Sequence, residues 1–182
     1  IPMIKSVAVV SYLFFFFCYP LLAVSGMDSK RLEMTTSACP WRLTIAGNSF
    51  ESKQKQLKPD GASAYFLFED EKNYMSMSVF IEPATQCQDS KSCRDLIWKQ
   101  GNPGWVNPQN VKLSEIGGIS CLEFLIPGFR GQEIRQQNLY AEYVVDGYWV
   151  DLHISKIGYQ TKEHVAFEKL LESVKFETKE SK

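Results

Sequence analysis

Two carboxylates and a histidine near the C-terminal end of the chain are the residues whose spacing could support chemistry. Asp146-Gly147 is among the strongest sequence signals for a two-residue hairpin turn, because both residues tolerate positive φ. Such a turn fixes the register of the flanking strands. It places Glu142 directly opposite Asp151, with His153 two residues further along the same face. Paired carboxylates could bind a cation, and His153 could exchange protons near neutral pH.

Aromatic side chains on the same face extend this acidic pair into a predicted binding site. The register places Tyr140 opposite His153 and Trp149 on the same side, where flat rings could contact a ligand. Trp105 and Phe129 lie in Gly/Pro-flanked loops, where they either contact a partner or cover the ends of the sheet. The predicted binding residues are Tyr140, Glu142, Trp149, Asp151, His153, Trp105 and Phe129.

A structural interpretation of the carboxylate pair is favoured over a catalytic one. Like charges that face each other destabilise a sheet, so we expect Arg135 or Lys156 to cover the pair, or both carboxylates to be solvated. A glycosidase would need two carboxyl groups at a defined separation in a cleft, which a hairpin face does not supply. The chain has no nucleophile–histidine–aspartate signature, glycine-rich phosphate loop or metal motif. We therefore predict no catalytic residue, no metal and no cofactor.

The cysteines predict disulfide bonds. Cys87 and Cys93 bracket a short polar loop, which leaves Cys39 to pair with Cys121. Four cysteines allow three connectivities, so this pairing is one of three. Zinc is disfavoured because ligand pairs in structural zinc sites lie two to four residues apart, and neither histidine completes such a pattern.

The start of the chain has the three-part layout of an export signal. Lys5 precedes an uncharged run from Val7 to Val24, and Ala23-Val24-Ser25 offers small residues for cleavage before Gly26. The run is close to the length that spans a bilayer, so an uncleaved anchor is the alternative. We predict a periplasmic or secreted protein.

Length and charge limit the remaining possibilities. About 155 residues follow the signal, which is enough for one domain with its own core. We divide the chain into a signal peptide (1–25), a flexible lead-in (26–38), one domain (39–177) and a disordered tail (178–182). The 20 Lys and Arg balance 21 Asp and Glu, so no basic face is expected for nucleic acid or for a membrane after cleavage.

Alternating apolar residues and turn signals predict an α+β domain, an antiparallel sheet built from successive hairpins and flanked by helices. Residues 49–61 are predicted to be an exposed connection. Helices are expected from Asp89 or Ser90 to about Gln100 and from Thr161 to about Val174. The predicted strands are Trp41–Ile45, Ala64–Phe68, Tyr74–Ile81, Val111–Ile116, Ile119–Ile126, Ile134–Val145 and Tyr148–Ile154.

Five segments resemble those of a known family. They are Trp41–Ile45, Tyr74–Pro83, Gly117–Phe124, Tyr143–Trp149 and Phe167–Phe176. Their order and residue types resemble the Mog1/PsbP-like family, including its exported bacterial branch of unassigned function. The resemblance implies an antiparallel sheet flanked by helices, in a group whose members mostly act as binding, assembly or accessory proteins. It carries over no catalytic residue, and the cysteines depart from the common pattern.

These observations predict an exported, non-enzymatic binding or accessory protein. We expect it to engage another envelope or secreted protein through its loops and an exposed sheet face. A periplasmic inhibitor or immunity protein is an alternative of the same class. A small hydrolase using Glu142, Asp151 and His153 is the alternative of a different class. A deep pocket at those residues would favour the hydrolase, whereas a shallow aromatic face would favour binding.

Overall fold

Two antiparallel sheets and two helices make up the computed structural model, which describes residues 30–101 and 107–179. Within these ranges no helix is long and apolar enough to cross a membrane. The strands are β1 (Arg31–Met34), β2 (Trp41–Ala46), β3 (Glu51–Leu57), β4 (Ala64–Asp70), β5 (Met75–Pro83), β6 (Gln109–Ile116), β7 (Ile119–Phe129), β8 (Gln132–Val145), β9 (Tyr148–Lys156) and β10 (Lys175–Thr178); the helices are α1 (Ser90–Gly101) and α2 (His164–Glu172).

The larger sheet has seven strands in the order β3-β4-β5-β9-β8-β7-β6, and the smaller has three in the order β1-β2-β10. Side chains alternate between the two faces of each strand, so one face of the larger sheet carries most of the apolar residues. This inner face packs against the smaller sheet and α2. Buried residues of this core include Met77, Val79, Leu152, Ile154, Leu43, Ile45 and Phe167.

The opposite, outer face of the larger sheet is covered by α1, which packs on β7 and β8. A disulfide between Cys87 and Cys93 ties the start of α1 to the segment that follows β5. Both cysteines pack with Trp149 of β9, and Leu96 and Ile97 of α1 join the same cluster. The Asp89 side chain accepts a hydrogen bond from the Ser92 backbone at 2.8 Å, which fits the predicted start of this helix.

The predicted α+β class with antiparallel hairpins is confirmed, although the chain is mostly strand and a second small sheet joins α2 over the inner face. The hairpin at Asp146-Gly147 has the predicted register, with Val145 opposite Tyr148. Both turn residues have positive φ, 48° and 76°, as a type I′ turn requires.

Three segments differ from the predictions. The flexible lead-in was wrong for Arg31–Met34, which form β1, because Leu32 and Met34 alternate into the core. The exposed connection contains β3, whose side chains are almost all solvent-exposed and which is held by main-chain bonds to β4. The charged end of the chain forms β10 up to Thr178, paired with β2, instead of fraying. The predicted signal peptide and its cleavage site lie outside the described residues.

The predicted disulfides are half correct. The Cys87–Cys93 bridge is present, but Cys39 and Cys121 are free thiols. Cys121 lies on the inner face of β7, and its thiol donates to the carbonyl of Ile119 at 3.5 Å. Cys39 lies between β1 and β2 of the other sheet, where its backbone N–H donates to Thr36 Oγ1. Both thiols are buried within the core without being joined.

Candidate functional site

Strand pairing brings five of the predicted site residues together on the outer face. Glu142 and Asp151 face each other, as predicted, and so do Tyr140 and His153. The rows continue onto β5 and β4, which sequence reasoning had not connected to the site. One row is Tyr65, Phe80, Asp151 and Glu142; the next is Leu67, Ser78, His153 and Tyr140; a third pairs Glu82 with Trp149.

Glu142 lies at the buried end of its row. Its side chain is 0% exposed, so the prediction of a solvated carboxylate is wrong for this residue. Oε2 accepts a hydrogen bond from the Trp149 indole Nε1 at 2.6 Å. Oε1 has no hydrogen-bond partner in the part of the chain that the structure describes. Burial under α1 thus removes Glu142 from solvent and leaves one of its oxygens unsatisfied.

Neither predicted cation covers the pair. Lys156 follows Ile154 on the inner face of β9, where its Nζ donates to the Asn73 carbonyl. Arg135 adopts a positive φ of 44° in an irregular part of β8, and its Nε donates to the Tyr159 carbonyl at 3.4 Å. Strand alternation and this local backbone conformation therefore direct both cations away from the carboxylates.

Burial and neighbouring negative charges favour the protonated forms of the two carboxyl groups. Burial is the main cause that raises the pKa of Glu142 well above its usual range; the Asp151 charge adds to it and the Trp149 hydrogen bond opposes it. Burial, followed by the charge of Glu82, raises the pKa of Asp151 to about 7. Asp151 is partly exposed as a residue, but its Oδ1 is buried and has no partner among the described residues. The pair therefore retains a proton close to neutral pH.

His153 is packed as a neutral ring. It stacks on Tyr140 with ring centroids 4.1 Å apart and an interplanar angle of 5°. Its Nε2 lies 3.1 Å from the amide oxygen of Asn138, which can only accept, so Nε2 carries the hydrogen. Burial lowers the pKa of His153 to about 4. A histidine with this pKa is neutral near pH 7, which argues against the proton exchange considered from the sequence.

The other half of the outer face, on β4 and β5, exposes aromatic residues that sequence reasoning missed. The rings of Tyr65 and Phe80 lie 4.6 Å apart at an interplanar angle of 42°, and Phe80 is 48% exposed. Beside them is a notch of about 270 Å³, whose lining includes Leu57, Lys58, Pro59 and Glu82. The sequence did contain a signal for this exposed ring. Along β5, the alternating positions Ser76 and Ser78 are followed by the aromatic Phe80, on the face where polar residues are expected.

The paired outer-face positions of β4, β5 and β9 carry only acidic charges, although Lys58 lines the notch beside them. The outer-facing residues of β4, β5 and β9 include Glu69, Glu82 and Asp151 but no lysine or arginine. These positions are Tyr65, Leu67, Glu69, Ser76, Ser78, Phe80, Glu82, Trp149, Asp151, His153 and Ser155. Within residues 30–101 and 107–179, no three His, Cys, Asp or Glu side chains form a group that could hold a metal ion.

The two loop aromatics are not part of this face. Phe129 ends β7 at the turn to β8 and is 47% exposed, so it does not cover the end of the sheet. The guanidinium carbon of Arg130 lies 5.1 Å from the centre of its ring. Trp105 falls outside the described residues.

Comparison with solved structures shows the fold. The chain is similar to the cyanobacterial PsbP protein (CyanoP) from Synechocystis sp., with 12% identity and a TM-score of 0.52 over 86% of this chain and 99% of that one. A crystal structure of a protein from Bacteroides thetaiotaomicron is also similar, with 12% identity and a TM-score of 0.46; the match covers 77% of this chain and 46% of the other chain. No protein-family model and no curated protein matches the sequence. The chain has a PsbP-like fold, which confirms the resemblance in its segments.

Proposed function

We propose that this protein is an exported, non-enzymatic binding or accessory protein that engages another protein through the exposed half of its outer face. The observation that carries the proposal is the pair formed by half-exposed Phe80 and partly exposed Tyr65 beside Glu82. Aromatic residues are enriched at the centres of protein interfaces, where they supply large contact area at low entropic cost. Here a sheet holds them, so little ordering is needed on binding.

The chemistry of the face defines the partner. The notch combines apolar side chains with Lys58 and Glu82, and the paired outer positions of β4, β5 and β9 beside it carry no lysine or arginine. The carboxylates of those strands are therefore complementary to a partner surface that presents a lysine or arginine. The aliphatic stem of such a side chain would lie along Phe80 and Tyr65, and its charge would be near Glu82. The neighbouring Glu69 and Asp151 would add longer-range attraction for a basic partner.

Burial of the acidic pair supports a binding role over hydrolysis. Glu142 is fully buried under α1, and His153 is stacked on Tyr140 and held neutral. A general acid or base must come within hydrogen-bond reach of the atoms that react, which buried Glu142 does not do here. The Cys87–Cys93 disulfide is consistent with an oxidising compartment and supports export.

The proposal is tested by capture of a partner from the envelope and secreted fractions of the source organism. Phe80→Ser and Tyr65→Thr should each reduce capture at least tenfold, and capture should weaken as salt is raised. Phe129→Ser is the matched control, because it removes another half-exposed aromatic residue that lies outside the face. Capture that survives both face variants, or that is lost only with Phe129→Ser, would contradict the proposed surface.

A further inference from the structure

A second concave site lies on the other side of the larger sheet. It is a cavity of about 460 Å³ between the β2–β3 connection, the start of β5, the end of β9 and α2. This volume falls within the range of small-molecule sites. Its apolar lining consists of Ala46, Phe50, Met75, Val165, Ala166 and Leu170. Phe50 and Met75 are buried at its base, whereas Val165 is 49% exposed at its mouth.

The cavity lining also includes one buried cation, Lys156. Lys156 is only 8% exposed, and burial of a lysine is costly unless its charge and hydrogen bonds are compensated. Its Nζ donates to the Asn73 carbonyl and lies 3.4 Å from Glu163 Oε1. An ammonium group has three N–H donors, so one donor is left after these two contacts.

The carboxylates in the same lining are already engaged. Asp70 accepts from the backbone N–H of Asn73 at 3.1 Å and from its side-chain amide at 2.6 Å, one bond to each oxygen. Glu163 Oε2 accepts from the Gln160 backbone at 2.8 Å, and its Oε1 faces Lys156. Each of these carboxylate oxygens thus already has a partner, and the Ser49 hydroxyl and the Lys156 charge also act on Asp70. Lys156 keeps one N–H for a ligand, and Lys169 adds a second cation to the lining.

We propose that this cavity binds a small amphiphile with an apolar chain and a single carboxylate, whose head group contacts Lys156. The apolar residues would cover the chain, and the free ammonium donor would select an anionic or accepting head group over a cationic one. The site is independent of the proposed protein-binding face, since Lys156 and Met75 lie on the inner face of the sheet and Phe80 on the outer.

The test is titration calorimetry of the purified protein with monomeric decanoate, and with decyltrimethylammonium as a probe of equal chain length and opposite charge. Decanoate should bind with one-to-one stoichiometry, at least tenfold more tightly than decyltrimethylammonium. Lys156→Met should abolish most of that preference. Ala166→Leu should weaken decanoate binding at least tenfold, because the added side chain fills the cavity without removing any contact of Lys156.

Glu172→Leu is the matched control, since it adds a leucine to an exposed position of the same helix outside the cavity lining. It should leave decanoate binding unchanged. If Lys156→Met does not fold, Ala166→Leu and the two probes still decide the question. The proposal is wrong if decanoate does not bind, if both probes bind equally, or if binding survives Ala166→Leu in a folded variant.

Discussion

Asp151 lies directly opposite Glu142 across β8 and β9, and no cation is paired with either carboxylate among the described residues. Such an arrangement is tolerated because the pair holds a proton, since burial raises the pKa values of both groups. Of the two carboxyl groups that the sequence marked as a possible active site, Glu142 is thus fully buried and Asp151 is only partly exposed. The exposed surface begins at Phe80 on the neighbouring strand β5.

The raised pKa of Asp151 predicts that the protein becomes less stable as the pH rises. The unfolded carboxyl group loses its proton near pH 4, whereas the folded group keeps it to about pH 7. The folded state therefore binds more protons in this window, and the free energy of unfolding should fall as the pH rises from about 4 to 7. Thermal unfolding at pH 5.5 and 7.5 measures the difference.

The variant Asp151→Asn tests whether Asp151 causes this pH dependence of stability. It should raise the free energy of unfolding at pH 7.5 by about 1 kcal/mol, because it removes a carboxyl group whose charged form is disfavoured by burial and by the charge of Glu82. It should also remove most of the difference between pH 5.5 and 7.5. Glu69→Gln, on the same face but away from the pair, should change neither. An unchanged pH profile in Asp151→Asn would show that the pair does not hold a proton near neutral pH.

Sequence reasoning placed this pair correctly but not its environment. Turn chemistry at Asp146-Gly147 fixes which residues face each other, and that is a local property of the chain. Which helix covers a sheet face is a long-range property. The cover of Glu142 by α1, and the direction of Lys156 toward Asn73, depend on packing between segments far apart in sequence.

The failure to predict β3 and β1 from the sequence has a related physical cause. β3 is an edge strand whose residues are almost all exposed, so it shows no alternation of apolar residues to detect. Its lysines are typical of edge strands that must avoid pairing with other chains. β1 does alternate, but over only four residues. The exposed Tyr65–Phe80 pair was missed because both residues read as ordinary members of apolar strands.

The hydrogen bond between Trp149 and Glu142 should couple the two residues energetically. Trp149→Phe leaves the buried Glu142 carboxyl without the indole hydrogen-bond donor and reduces packing against the disulfide, so we expect a loss of about 2–3 kcal/mol. Glu142→Gln keeps an acceptor and relieves the repulsion, so its cost should stay below about 1 kcal/mol. A double-mutant cycle in denaturant measures the coupling, expected to be about 1 kcal/mol. Additive costs would mean that the bond contributes little.

The Cys87–Cys93 bridge should stabilise the attachment of α1. A loop this short is expected to contribute about 2 kcal/mol in the chain-entropy model. Cys87→Ala with Cys93→Ala should lower stability by that amount and increase amide exchange in α1, because the cluster with Trp149 loses its bridge. Reductant should destabilise the wild type by a similar amount and leave the double variant unaffected. A similar response of both proteins to reductant would show that the bridge is not the source of the effect.

The remaining two thiols should be unreactive in the folded protein and reactive once it unfolds. Cys39 and Cys121 are 2% and 0% exposed, and burial is the main cause that raises both pKa values, that of Cys121 to about 12. Alkylation requires the thiolate, so iodoacetamide should modify neither residue in native buffer at pH 8. Both should be modified in denaturant without any reductant, as peptide mapping would show. Recovery of a Cys39–Cys121 cross-linked peptide would instead restore the pairing that the sequence had suggested.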